Sequence, residues 1–201
     1  MKERIENSIS QRNMMFSSIS HDIRTILTRM KLELEFFPKK GKKELGKDLK
    51  EMEEMVGEYL NYVKGEKKEK TKRLNFIKIM NVILKRYTKK NIYFSKNENV
   101  YIFIKENSFK RCINNILSNS LKFAKNINIF YKKKKNYILI IIDDDGPGIP
   151  KKEREKVLMP FYRIENSRSR DTGGVGLGMT ITADIINSHG GNFSLEESPQ
   201  K

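Results

Sequence analysis

The chain of 201 residues holds a single cysteine, Cys112. That excludes an internal disulfide framework and fits a reducing compartment. With only two histidines there is no Cys/His cluster, so a structural zinc site is excluded as well. Tryptophan is absent, and alanine occurs only at Ala124 and Ala183. The longest unbroken apolar run, Tyr137–Ile142, is far shorter than the roughly 20 residues of a membrane-spanning helix. Met1–Glu6 carries no apolar stretch of the secretory kind. Internal repeats and low-complexity segments are also missing.

Basic residues are what the chain has in excess. Lys and Arg total 41 against 25 Asp and Glu, a formal charge of +16. Such a charge raises the question of nucleic acid. Lysine dominates, however, and it is scattered over Lys39–Lys43, Lys67–Lys72 and Lys132–Lys135, while arginine, the better reader of bases, leads none of these runs. The wealth of Lys, Ile and Asn beside scarce Ala reads as A/T-rich codon usage rather than as a nucleic-acid surface.

Two patterns divide the chain. Residues 1–37 lack Gly and Pro, and Phe16, Ile19, Ile23, Ile26 and Met30 recur at helical heptad spacing. Pro38 and Gly41 mark a turn, and Leu45, Leu49, Met52, Val56, Tyr59 and Val63 continue the seam in a second helix over 42–64. A helical hairpin of this size buries little by itself. A dimeric four-helix bundle completes it, and packing of one hairpin on the rest of its own chain is the other solution. Residues 65–73 form a charged linker without apolar side chains. Beyond it, over 74–201, the pattern is mixed: a helix over Leu74–Tyr87, strands over Asn91–Ser95 and Val100–Ile104, a helix over Ser108–Ala124, strands over Ile127–Tyr131 and Tyr137–Ile142 around a lysine-rich tip, and a last helix within Val175–Ser188 stopped by Gly190 and Gly191. The fold class is therefore α+β, a helical hairpin followed by an α/β sandwich.

Four constellations carry possible chemistry. In Ser20-His21-Asp22-Ile23-Arg24-Thr25 the heptad places His21 at an outward position, with Asp22 adjacent and Thr25 one turn on. An exposed neutral imidazole is a nucleophile near pH 7, although the segment alone reads first as an ordinary surface histidine. Asn115, Asn119 and Lys122 make a polar stripe on one helix, with Phe109, Ile113, Ile116, Ser120 and Ala124 opposite. Amides and an ammonium in a row suit a hydrated cation and phosphate oxygens, or simply water. Asp143-Asp144-Asp145-Gly146-Pro147-Gly148 follows an apolar strand, so that a carboxylate at a strand end meets a tight turn. Gly173-Gly174-Val175-Gly176-Leu177-Gly178 opens a helix, where backbone amides favour an anion. It is neither a Walker motif, for want of a Lys-Ser/Thr pair, nor a dinucleotide fingerprint, for want of a preceding strand. His189 lies at a helix C-terminus, where a cation is favoured, and reads as structural.

The order of these motifs, with Pro160-Phe161 between the last two, resembles the sensor histidine kinases and their H, N, G1, F and G2 boxes over about Ser17–Glu196. The spelling Ser-His-Asp-Ile-Arg-Thr, with Asp-Asp-Gly-Pro-Gly-Ile and Pro-Phe-x-Arg, looks most like the EnvZ osmosensor subgroup. The resemblance implies a dimerisation and phosphotransfer hairpin over 1–64, a linker over 65–73 and an ATP-binding domain of the histidine kinase, Hsp90 and gyrase type over 74–201. It implies that His21 accepts the γ-phosphoryl group of ATP, that Asp22 orients its ring, and that Thr25 positions a water for the reverse dephosphorylation. Asn119 would ligate Mg²⁺, with Asn115 and Lys122 near the phosphates. Asp144 would bind the adenine amine, and Gly146 and Gly148 would shape the base pocket. Phe161 and residues 165–172 would form a lid, which Gly174, Gly176 and Gly178 let close. The partners implied are a response-regulator receiver domain and a second copy of the chain, in the cytoplasm, with no nucleic acid. Three other readings compete: a kinase-inactive remnant that only docks a regulator or dephosphorylates it, an ATPase of the gyrase, Hsp90 and MutL group, and a basic nucleic-acid binder. Ile26 stands where the family usually has Pro, which predicts a straighter first helix and an altered balance of kinase and phosphatase activity. The family's last strand is missing from the sequence, which predicts an unpaired sheet edge.

Overall fold

Asn75 shows how the larger part of the chain organises itself. Its side chain accepts a hydrogen bond from the Lys78 backbone N–H at 2.9 Å, starting a helix immediately after a short strand. In the computed structural model, which describes residues 23, 25–64, 69–95, 98–164 and 176–198, this is the junction of β1 (Lys72–Asn75) and α3 (Phe76–Leu84). The chain divides into two compact units, Met1–Lys67 and Lys68–Lys201.

In the first unit, α1 (helical over residues 25–35) and α2 (Lys39–Lys64) pack through Leu27, Leu34 and Leu49, with Ile23 and Val56 at the margins. Ion pairs Lys31–Glu53 and Lys42–Glu35 run alongside. The expected seam is only partly the one used. Ile26, Met30, Leu45 and Met52 remain substantially exposed, whereas Leu27 and Leu34, which the heptad count left out, are buried. The apolar stripe is wider than one seam, and one flank of it meets the neighbouring helix. Helix α1 continues through Ile26 without interruption.

The second unit is an α/β sandwich. Its strands are β1, β2 (Asn91–Phe94), β3 (Tyr101–Ile104), β4 (Asn126–Lys133) and β5 (Ile138–Asp144). They form a β1–β3 antiparallel pair and a β2-β4-β5 sheet, with β2 parallel to β4 and β4 antiparallel to β5. Alternation sets the faces: Ile127, Ile129 and Tyr131 of β4 point into the core, and Phe130 and Lys132 point out. Against them pack Phe76, Ile79, Met80 and Ile83 of α3, at helical spacing, and Phe109, Ile113 and Leu117 of α4 (Glu106–Phe123). Phe76 sits at the centre, with ring contacts to Phe94, Phe109 and Tyr131. Cys112, buried on α4, has its thiol pushed up to about 12 by burial and is chemically inert there.

Helix α5 (Gly178–Ser188) ends in a Schellman motif. Gly190 adopts φ 72° and donates to Asn187 O, and Gly191 donates to Ile186 O. Two expected boundaries change. Leu74 and Asn75 are strand, paired to Ile102 and Tyr101, so the helix begins at Phe76 and gives way to a 3₁₀ turn over Lys85–Tyr87. Lys72 and Arg73 also belong to β1 rather than to a linker, and the Arg73 guanidinium stacks over Tyr101. Residues 191–198 form no strand, and among the described residues β5 has no neighbour on its outer side.

Candidate functional site

Helix α4 brings the site together. Its Asn115 side chain donates to Gly178 O at 3.2 Å, at the first residue of α5. One turn and a half further on, the Ser120 hydroxyl donates to Asp144 Oδ2 at 2.7 Å, at the end of β5. A polar stripe on one helix thus touches both the Asp-Gly turn and the start of the glycine-opened helix, two motifs distant in sequence. Asn119, between the two contacts, is half-buried. Lys122 is exposed near the helix end.

The three successive aspartates have three different surroundings. Asp143 pairs in register with Asn128. Asp144 is held from two sides, by Ser120 and by the Gly146 N–H, which donates to Oδ1 at 3.0 Å. Asp145 accepts from Lys125 N, Asn126 N and Asn126 Nδ2, pinning the turn between α4 and β4. Those bonds, the Asn126 backbone N–H first, hold its carboxyl below the ordinary range. Gly146 is close-packed: a Cβ there would meet Asp144 Oδ1 at 2.8 Å and Phe123 O at 3.4 Å. Gly148 takes φ 77°, which any side chain would strain.

Phe161 also has positive φ, 64°, a costly conformation for a bulky residue. Its N–H donates to Gly176 O at 3.1 Å, which joins the two ends of the segment that contains residues 165–175. Gly176, at φ 78°, lies so close that an added Cβ would be 3.0 Å from Phe161 C and from Tyr162 O. The next side chain, Tyr162, donates its hydroxyl to Glu153, and that bond lowers the Glu153 carboxyl.

Of the expected residues, α4, the β5 turn and the α5 start unite Asn115, Asn119, Asp144, Gly146 and Gly178, and Gly176 contacts Phe161. His21, Asp22 and Gly174 lie outside the described residues. Thr25 is an exposed residue of α1. Two assignments change, at Ser120 and Glu69. Ser120, grouped with the apolar side of α4, donates to Asp144 and is a polar member of the site. Asn115, expected near phosphates, donates from its amide to the backbone at the start of α5. His189 is structural, as expected: its Nε2 accepts the Lys105 N–H at 2.9 Å and its Nδ1 lies 2.7 Å from Ile185 O. Glu69, read as one more linker charge, caps α4: its carboxylate accepts from Asn107 N, Ser108 N and the Ser108 hydroxyl. It is one of two glutamates, with Glu66, in a lysine-rich segment, and no sequence signal sets it apart.

The residues fit a nucleotide with magnesium. Among the described residues no group of three or more His, Cys, Asp or Glu comes together to hold a metal. Mg²⁺ held mainly by phosphates and water needs no such group, and one amide such as Asn119 suffices on the protein side. The buried Thr180 hydroxyl, in the first turn of α5, has no hydrogen-bond partner among the described residues.

Residues 104–201 match the family described as histidine kinase-, DNA gyrase B-, and HSP90-like ATPase, and the second unit has the α/β fold of those ATP-binding domains. Across nearly its whole length the chain is 32% identical to the sensor histidine kinase GtrS of Pseudomonas aeruginosa, covering 98% of this chain and 41% of that protein. It is 26% identical to the sensor histidine kinase CpxA of Escherichia coli, with 97% and 46% covered. The crystal structure of the ATP binding domain of PrrB from Mycobacterium tuberculosis shares the fold, with a TM-score of 0.53 at 20% identity over 64% of this chain and 88% of that one. The chain belongs to the sensor histidine kinase family. It spans less than half the length of these two curated relatives.

Proposed function

We propose that the chain is the catalytic core of a two-component sensor kinase, which phosphorylates His21 from ATP and passes the phosphoryl group to an aspartate of a response-regulator receiver domain. The observation that supports it most is the pair of contacts from α4, Asn115 to Gly178 O and Ser120 to Asp144, which place an amide-bearing helix between an acceptor for a base and a helix start suited to phosphate. Asp144 accepts the adenine amine, and Gly146 and Gly148 let the base approach the turn. Asn119 would hold Mg²⁺, with Asn115 and Lys122 near the phosphates. When bound, the ion supplies charge neutralisation on the transferring group. Phe161 and Gly176 close the stem of a lid that includes Gly174. Asp22 orients the His21 ring for attack, and Thr25 positions water for the reverse dephosphorylation.

The exposed flank of the two-helix unit, Ile26, Met30, Leu45 and Met52, suits a second copy that completes a four-helix bundle. No helix among the described residues is long and apolar enough to cross a membrane. With the single buried cysteine, this agrees with a cytoplasmic position for the core. The EnvZ-like subgroup rests on the spelling around His21, of Asp-Asp-Gly-Pro-Gly-Ile and of Pro-Phe-x-Arg.

The test is incubation with γ-labelled ATP and Mg²⁺, comparing the wild type with His21→Gln and Asn119→Ala. Acid-labile, base-stable label on the wild type only supports the reading. ATP binding without label refutes the kinase and leaves a docking or phosphatase module.

A further inference from the structure

A serine inside a helix ordinarily turns its hydroxyl back to the carbonyl four residues earlier. Ser120 does not. Its hydroxyl reaches out of α4 to Asp144 Oδ2 at 2.7 Å, a partner 24 residues away, and the side chain is 93% shielded from solvent. The other carboxylate oxygen takes the Gly146 N–H. Two donors from two different elements therefore hold one carboxylate, and they leave its remaining lone pairs as acceptors only. The Ser120 proton is committed to Asp144 and fixes the direction in which the carboxylate faces.

We propose that Ser120 is a positioning residue that sets the purine preference of this site, by holding Asp144 as an aimed acceptor for a 6-amino group against a 6-oxo group. The inference rests on the reading of Asp144 as the acceptor for the adenine amine. Ser120 does not touch the base; it acts through Asp144. An acceptor-only carboxylate attracts the N–H of a 6-amino purine and repels the carbonyl oxygen of a 6-oxo purine. Recognition of this kind is sensitive to aim, because a buried polar group left unpaired by the wrong ligand is costly. With Ser120 gone, the carboxylate keeps the Gly146 N–H but loses its second anchor, and with it the aim at a 6-amino group.

The test uses the full chain and measures equilibrium binding of ATP, ADP and ITP in the presence of Mg²⁺. For Ser120→Ala, ATP and ADP weaken by the same factor, about three- to tenfold, because the lost contact serves the base and not the phosphates. ITP changes by less than about twofold, so the ATP-to-ITP preference falls. Ser120→Thr, which keeps the hydroxyl, retains the preference, and Ser120→Cys, a near-isosteric weak donor, falls between. A purely structural serine would lower the melting temperature and leave the ATP-to-ITP ratio of the folded protein unchanged, and that result overturns the proposal. A wild type that binds ATP and ITP equally overturns the reading of Asp144 and the role of Ser120 with it. A preference lost in Asp144→Asn but kept in Ser120→Ala removes Ser120 alone.

Discussion

Gly176 and Gly178 lie two residues apart in one glycine-rich motif, yet alanine should act on them in opposite directions. At Gly176 the backbone takes φ 78°, and a new Cβ would meet three backbone atoms, Phe161 C and Tyr162 O at 3.0 Å and Phe161 Cα at 3.1 Å. The left-handed conformation costs an alanine about 1–2 kcal/mol. Crowding against backbone adds about 1–3 kcal/mol, since Phe161 is itself held at positive φ and has little freedom to retreat. Gly176→Ala should thus lose about 2–5 kcal/mol, roughly 6–20 °C in melting temperature for a domain of this size. At Gly178 the nearest atom to a new Cβ is Asn115 Cβ at 4.0 Å, ordinary contact, and the residue is helical. Gly178→Ala should therefore gain about 0.4–1 kcal/mol through the reduced freedom of the unfolded chain. Thermal unfolding followed by circular dichroism, without nucleotide, reads both. A Gly176→Ala variant melting with the wild type, or a Gly178→Ala variant falling as far as Gly176→Ala, would refute the reasoning.

Removing the Glu69 carboxylate in Glu69→Ala strips Asn107 N, Ser108 N and the Ser108 hydroxyl of their acceptor, so urea unfolding should show a loss of about 1–2 kcal/mol, with an unchanged midpoint as the contrary result. Asp145 has its carboxyl lowered by hydrogen bonds, so its contribution is complete above the ordinary value near 3.8 and is lost as pH falls through the lowered value. Acid unfolding of Asp145→Asn should start from lower stability and fall less steeply below about pH 4 than that of the wild type; parallel curves would count against it. Cys112, 2% exposed and pushed up to about 12, should react with a thiol reagent only after unfolding, and stoichiometric labelling of the native protein within minutes would show the burial to be wrong.

Elements with strong local patterns were legible in the sequence. The alternation in β4, the apolar spacing of α4 and the double-glycine stop of α5 all follow from periodicity and turn chemistry that act within a few residues. The contacts that organise the site do not. Ser120 meets Asp144 over 24 residues, Glu69 meets Ser108 over 39, and His189 meets Lys105 over 84. No period reports such pairings, so periodicity alone puts Ser120 with the apolar side of its helix and leaves the partner of His189 unnamed. The two-helix unit failed for another reason. A heptad count finds an apolar stripe, but a stripe with two flanks does not say which flank faces its own chain. Leu27 and Leu34 take that place, and Ile26 and Met30 do not.

The long-range contacts share one physical consequence, because all of them converge on α4. Its first turn is held from outside the helix, by Glu69 on the Asn107 and Ser108 amides, while the Lys105 N–H just before it goes to His189 at the far end of α5. Its middle is joined to the beginning of α5 through Asn115, and its last turns to β5 through Ser120. Helices α4 and α5 are therefore tied at both ends, so a shift of one must break a hydrogen bond or carry the other along. A ligand that contacts the β5 turn and the α5 start at once would be read by a single rigid body rather than by three separate loops. The ties along α4 thus fix where a base and its phosphates would lie relative to each other, and Phe161, at positive φ with its N–H on Gly176 O, carries backbone strain beside the α5 start.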